Sequence, residues 1–206
     1  MVETERNMAT SRGLEKYADI LGFPSPEDLK SELEGKQVLD AGSGEGNLKK
    51  ELGDEYKITN LDVRHIPDSN SVQSMAEFMP FKDESFDTIL CNHSLFFYAQ
   101  ENEKMTLEES INKQAKETYR VLKDGGKMYI VLFPLDSDFA SPVTEDSKFY
   151  TYTTFKRNEL IKSQPLKVLK NVGFNIDKSE KFTHTTEKGD VVLARVVLGK
   201  SKLNTN

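Results

Sequence analysis

An α/β fold built on a mostly parallel sheet is what this sequence predicts, and three observations predict it. From Lys36 onward, short apolar strands alternate with amphipathic helical segments. The run KMYIVLF at 127–133 is almost wholly apolar, as a central strand covered on both faces must be. Near the C-terminus, FNIDKSE and DVVLARVVL follow one another with no helical pattern between them. Alternation gives parallel strands joined by crossovers, and the closing hairpin makes the last strand antiparallel.

The elements follow in order. Residues 1–12 carry no pattern and are expected to fray. LEKYADIL places Leu14, Tyr17, Ala18 and Leu21 at i, i+3, i+4 and i+7, an amphipathic helix. GFPSPEDLKSELEG predicts a second helix, with Ser25 as N-cap, Pro26 at the first helical position, acids in the first turn and Gly35 as the stop. Both precede any strand, so they pack against or over the core. KQVLD (36–40) is the first strand, NLKKEL a short helix with Gly53 behind it, and YKITNL (56–61) the second strand. SVQ (71–73) is a weak third strand; the connection VRHIPDSNS before it is too short for a full crossover helix. FDTILC (86–91) is the fourth. A long helix then opens on a capping box of Thr106 and Glu109, with Ile111, Ala115 and Leu122 along one stripe. A helix over 157–172, restarted near Pro165 and closed by Gly173, precedes the hairpin. The whole reads as one domain: a helical extension (1–35), a core (36–198) holding a loop at 134–155, and a frayed tail (199–206).

Composition excludes several functions. The chain has 206 residues, 36% hydrophobic and 30% charged, with no run near the roughly 20 apolar residues of a membrane span. The polar start MVETERNMATSRG is not expected to be a secretory signal, and a single cysteine, Cys91, suits a reducing cytoplasm. A net charge of −6 argues against nonspecific nucleic-acid binding, which needs a basic surplus. The one basic cluster, Lys156, Arg157, Lys162, Lys167 and Lys170, reads as a solvated helix face.

The chemistry centres on VLDAGSGEGN (38–47). Gly42, Gly44 and Gly46 follow the first strand, at the end of a parallel sheet where ligands bind. Glycines permit the positive φ of a sharp turn and let a ligand approach the backbone. Asp62 ends the second strand, where a carboxylate can accept both hydroxyls of a ribose. A nicotinamide dinucleotide fits poorly: the G-x-G-x-x-G spacing is broken by Asn47, and Asp40 would face a diphosphate unfavourably. Asp40 instead suits a ligand with an ammonium and a sulfonium group, such as S-adenosyl-L-methionine.

At these positions the sequence resembles the class I S-adenosylmethionine-dependent methyltransferases. The likeness spans roughly 36–198 and rests on four segments in order. DAGSGEG (40–46) is similar to their first motif, and Asp62 to the acid that binds the ribose. AEFMPFKDESFD (76–87) resembles the lead into their fourth strand, and YRVLKDGGK (119–127) the passage into the fifth. The resemblance implies the Rossmann-like strand order 3-2-1-4-5-7-6 with strand 7 antiparallel. It implies a cofactor site drawn from Asp40, Ala41, Gly42, Ser43, Gly44, Asp62, Val63, Met75, Ala76, Glu77 and Asn92. One position departs: Met75 stands where the family commonly has an acid that bonds the adenine amine. A thioether accepts poorly but offers apolar surface to a purine, and Glu77 or a backbone carbonyl is the substitute acceptor.

The acceptor is expected to be a small molecule presented by CNHSLFFY (91–98), which lacks the Asn/Asp-Pro-Pro-Tyr of enzymes acting on planar amides or adenine N6. His93 suits either a base or the anchoring of a loop; Phe96, Phe97 and Tyr98 suit either an apolar pocket or the core. The loop 134–155 offers Tyr150 and Tyr152 beside acids, and Tyr17 either closes over the methionine end of the cofactor or simply packs. His65, His93 and His184 show no metal-ligand spacing, and direct displacement from a sulfonium requires no metal. Two other functions remain open at this level: a non-catalytic binding or scaffolding subunit of the same fold, and a nicotinamide-dependent oxidoreductase.

Overall fold

The computed structural model describes residues 13–64, 67, 70–96, 105–132, 165–186 and 189–201. Among these residues two helices come first, α1 (Leu14–Leu21) and α2 (Pro26–Leu33). Ser25 caps α2 by accepting the Asp28 N–H, and Gly22 closes α1 in the left-handed region. Then follow β1 (Gln37–Ala41), α3 (Asn47–Leu52), β2 (Lys57–Asp62), β3 (Ser71–Gln73) and β4 (Phe86–Cys91). The long α4 (Leu107–Val121) opens on the expected reciprocal Thr106–Glu109 box. It runs directly into β5 (Leu122–Leu132), and α5 (Pro165–Asn171), β6 (Phe174–Thr186) and β7 (Gly189–Lys200) complete the chain.

The sheet order is β3-β2-β1-β4-β5-β7-β6, parallel except for β7, which runs antiparallel to both neighbours. That is the order the methyltransferase resemblance implies. Alternate residues of the central strands feed two cores. Leu39, Ala41, Ile89, Cys91, Met128 and Ile130 pack under α4 and α5 with Ile111, Ala115 and Leu169. Val38, Leu90, Tyr129 and Val131 pack on the other face under α1, α2 and α3 with Tyr17, Ile20, Leu29, Leu33 and Leu48. The amino-terminal helices are thus one of the two layers that cover the sheet. Because side chains alternate, Asp40 shares the face of Val38 and points toward α1.

Three expectations about extent are corrected. β5 begins at Leu122 rather than 127, because Leu122 pairs with Phe86 before the irregularity that precedes Thr88. The closing hairpin is longer than the apolar runs, since polar residues up to Thr186 and Gly189 still find ladder partners. The tail expected to fray from 199 stays in β7 through Lys200, which is buried and donates to the Leu122 carbonyl at 2.9 Å. Of the helix expected over 157–172, Pro165–Asn171 is helical and the earlier part lies outside the described residues.

Arg120 pins the irregular segment 79–84 onto α4. Its guanidinium donates to the carbonyls of Met79 (2.9 Å) and Phe81 (2.7 Å) and pairs with Asp83 and Glu117, while Glu117 accepts the Met79 N–H. Arg120→Ala strands two carbonyls at once. It is expected to cost roughly 2 kcal/mol and lower the melting temperature by about 6 °C, read by calorimetry.

Candidate functional site

The site begins where β1 stops. The Gly42 and Ser43 N–H groups both donate to the Leu61 carbonyl (2.6 and 3.1 Å), which bends the chain back across β2, and Gly46 N–H closes the turn on Ser43. Gly42 has φ +76°, and a Cβ there would lie 2.0 Å from the Ser94 Cβ. The Ser94 hydroxyl in turn donates to the Ala41 carbonyl. Glycine is therefore required at 42 both for its backbone and for the loop after β4 that lies against it.

Asp40 is completely buried at the end of β1, beside Asn60 of β2 and Leu90 of β4. Its Oδ1 accepts the Tyr17 hydroxyl at 2.7 Å; its Oδ2, equally buried, has no partner. Burial pushes the carboxyl up to about 7, the Tyr17 bond pulls it down, and the Asp62 charge raises it further. The Ser43 hydroxyl in the turn is likewise buried without a partner.

Asp62 ends β2 with one carboxylate oxygen accepting the Gly44 N–H (2.9 Å) and the other accepting the N–H and Nε of Arg64 (3.0 Å each). A carboxylate has about four acceptor positions, so Oδ2 keeps capacity for a hydroxyl. Beyond it lies an apolar surface. Val63, Met75 and Phe78 are the exposed large hydrophobics among the described residues. The turn that presents the latter two is tied to β2 by Ser74 N–H on the Asp62 carbonyl (3.0 Å) and closed on itself by Ser74 Oγ, which donates to the Phe78 carbonyl (2.7 Å). Ala76 packs on the core, and Glu77 faces inward rather than toward this surface. Its Oε1 accepts from Ser110 Oγ (2.5 Å) and Gln114 Nε2 (2.9 Å), so as a substitute acceptor for an adenine amine its side chain is already committed to α4.

After β4, Asn92 is buried and its Oδ1 lies 2.8 Å from His93 Nδ1. With the amide oxygen as acceptor, Nδ1 carries the proton and the ring's lone pair sits on Nε2. His93 and Phe96 both have positive φ, +54° and +67°. That backbone turns Phe96 into the core, where it is 1% exposed; of the two roles open to it, pocket wall or core, burial selects the core. Phe97, Tyr98, Tyr150 and Tyr152 lie outside the described residues, as does the loop 134–155.

Sequence reasoning missed Ser94, Ser110 and Gln114. Gln114 Oε1 accepts the Phe96 N–H (2.8 Å) while its amide nitrogen serves Glu77, so one side chain joins the two turns that flank the site. The available signal was a polar stripe at 110, 114 and 118 on the buried face of α4.

A family model described as a methyltransferase domain matches residues 39–130. An uncharacterized protein of Methanocaldococcus jannaschii is 30% identical over 174 residues, 81% of this chain and 78% of that one. The chain belongs to the class I S-adenosylmethionine-dependent methyltransferases. A demethylmenaquinone methyltransferase of Chlorobaculum tepidum is 24% identical over 220 residues, covering 91% of this chain and 85% of its own. In fold the chain is similar to a SAM-dependent methyltransferase of Methanosarcina mazei (TM-score 0.60, 18% identity, 82% of this chain and 94% of that one). It is similar also to the Burkholderia thailandensis 1,6-didemethyltoxoflavin-N1-methyltransferase (TM-score 0.61, 16% identity, 97% and 84%), crystallised with S-adenosylhomocysteine.

The residues present fit the methyltransferase cofactor. A buried carboxylate oxygen without a partner suits its ammonium, the glycine turn its close approach, Asp62 its ribose, and Val63 with Met75 a purine face.

Two outcomes follow for the turn and its acid. Gly42→Ala is expected to abolish measurable S-adenosylhomocysteine binding, and adding Ser94→Gly restores only part of it, because the positive φ remains. For Asp40 the folded carboxyl titrates near 7 and the unfolded one near 3.8. Between those values the folded state holds a proton the unfolded state has lost, so this group's contribution falls as pH rises from about 4 to 7 and stays low above. Asp40→Asn removes that loss. Its melting temperature relative to wild type is expected to climb between pH 5 and pH 8 while cofactor affinity collapses.

Proposed function

We propose that this methyltransferase acts on a small molecule by in-line, metal-independent displacement, with Asp40, the turn 42–44, Asp62, Val63, Met75 and the backbone of 76–77 holding the cofactor. The observation that carries the reading is the convergence of the buried acid, the glycine turn and the Asn92–His93 pair at one end of the sheet. Ser94 is the hinge of that convergence, since it lies on Gly42 while His93 precedes it. When bound, S-adenosylmethionine supplies a methyl group activated by positive sulfur. The chain's own task is to orient the acceptor, bring its nucleophilic atom to about 3–3.5 Å of that carbon, and exclude water. His93 is the proposed base: Asn92 fixes its tautomer, and Nε2 takes the proton that a hydroxyl or ammonium acceptor must lose. Acceptors that arrive deprotonated have no need of it.

Support for a small acceptor comes from relatives named for menaquinone and ubiquinone methylation, beside a structural neighbour crystallised with 1,6-didemethyltoxoflavin. No helix among the described residues is long and apolar enough to cross a membrane. A reducing cytoplasm suits the buried Cys91 thiol, which burial and the nearby Asp40 push upward in pKa and keep unreactive.

The test is S-adenosylhomocysteine release with a panel of quinols, phenols and heteroaromatic amines, run beside bulk protein and nucleic acid. Transfer to the macromolecules alone overturns the small-acceptor reading. On the best acceptor, His93→Gln is expected to lower kcat by about 10²–10⁴-fold with cofactor affinity unchanged. An unaltered kcat would leave His93 as a loop anchor.

A further inference from the structure

We infer that Tyr17 is a positioning residue for the cofactor's amino group: α1 delivers its hydroxyl to Asp40 Oδ1, leaving Oδ2 as the oxygen that faces a ligand cation. The inference rests on the assignment of Asp40 to that cation and adds a part that no motif contains. Tyr17 lies 23 residues before Asp40, on a helix of the covering layer, yet its side chain is 6% exposed and its bond to Asp40 is buried. A fully buried carboxyl with no donor stays protonated, and a protonated acid is a poor partner for an ammonium. One strong donor on Oδ1 favours the ionised form, and because it occupies that oxygen alone it leaves the second lone. The groups that bear on Asp40 electrostatically are Tyr17 from α1, Asp62 at the end of β2 and the Cys91 thiol of β4. Of these, Tyr17 is the donor; Asp62 opposes ionisation.

For this to work, α1 must be held in register, and the far end of the chain does so. Arg195 of β7 donates from Nε to the Ile20 carbonyl (3.1 Å) and pairs with Asp19 (3.4 Å) and Glu180 (3.2 Å). Its guanidinium carbon lies 3.9 Å from the centre of the Phe182 ring. At the other end of α1, the Leu14 N–H donates to Glu51 Oε2 at 2.8 Å, tying it to α3. The helix is thus fixed at both ends with Tyr17 in its middle.

The experiment is calorimetric titration of S-adenosylhomocysteine into wild type, Tyr17→Phe and Asp40→Asn from pH 6 to pH 8. Phenylalanine keeps the buried ring, and a melting curve confirms the fold. The expected result is an affinity for the Phe variant about tenfold below wild type near pH 6.5 that recovers toward it by pH 8. The midpoint of its pH profile thereby moves upward. A loss that is the same at every pH, or no loss, overturns the inference, since packing alone would act without regard to protonation. Asp40→Asn separates the two levels. Lost, pH-insensitive binding upholds the role of Asp40 whatever Tyr17 does, whereas wild-type binding removes that role and the inference with it.

Discussion

A carboxyl group is buried completely at the end of β1, an interior strand between β2 and β4, and the surrounding structure is arranged to tolerate it. At zero exposure to solvent, each neighbour of Asp40 has a disproportionate effect. Tyr17 stabilises its charge, Asp62 opposes it, and Oδ2 has no hydrogen-bond partner. Replacing the acid by an apolar residue would make the apo fold easier to form. That the fold instead carries a destabilised group at the ligand end of β1 is the pattern of a binding site whose ligand supplies the missing partner.

Around that acid the site is built from turns, and turns need something to hold them. The glycine turn is held by Leu61, the turn after β3 by Ser74 and Asp62, and the turn after β4 by Ser94 and Gln114. Gln114 and Ser110 meet on Glu77, so a short polar network on α4 sits behind two turns at once. A substitution in that network moves both sides of the site without touching a ligand.

Much of the fold was legible because local chemistry and tertiary need coincide. The Ser25 cap, the Thr106–Glu109 box, the glycine turn and the alternation of strands and helices each announce themselves within a few residues. The parts that stayed hidden depend on contacts between distant segments. Glu77 reads as an available acid until α4 is folded onto it, and Phe96 as a pocket aromatic until a left-handed backbone turns it inward. No spacing rule relates Tyr17 to Asp40, since their meeting depends on how one helix is tilted over the sheet. Strand ends were misjudged where polar residues pair in the ladder: apolar patterning marks what is buried, not what is hydrogen-bonded.

Arg195 joins the first helix to the last strand, 175 residues away along the chain. During synthesis the amino-terminal helix emerges first and can dock on α2, α3 and β5 before the last strand supplies the Arg195 bonds. A chain that lacks β7 therefore leaves the carboxyl end of α1 without the bonds of Arg195 to Ile20 and Asp19. The last strand to be made thus completes the seating of a helix laid down near the start.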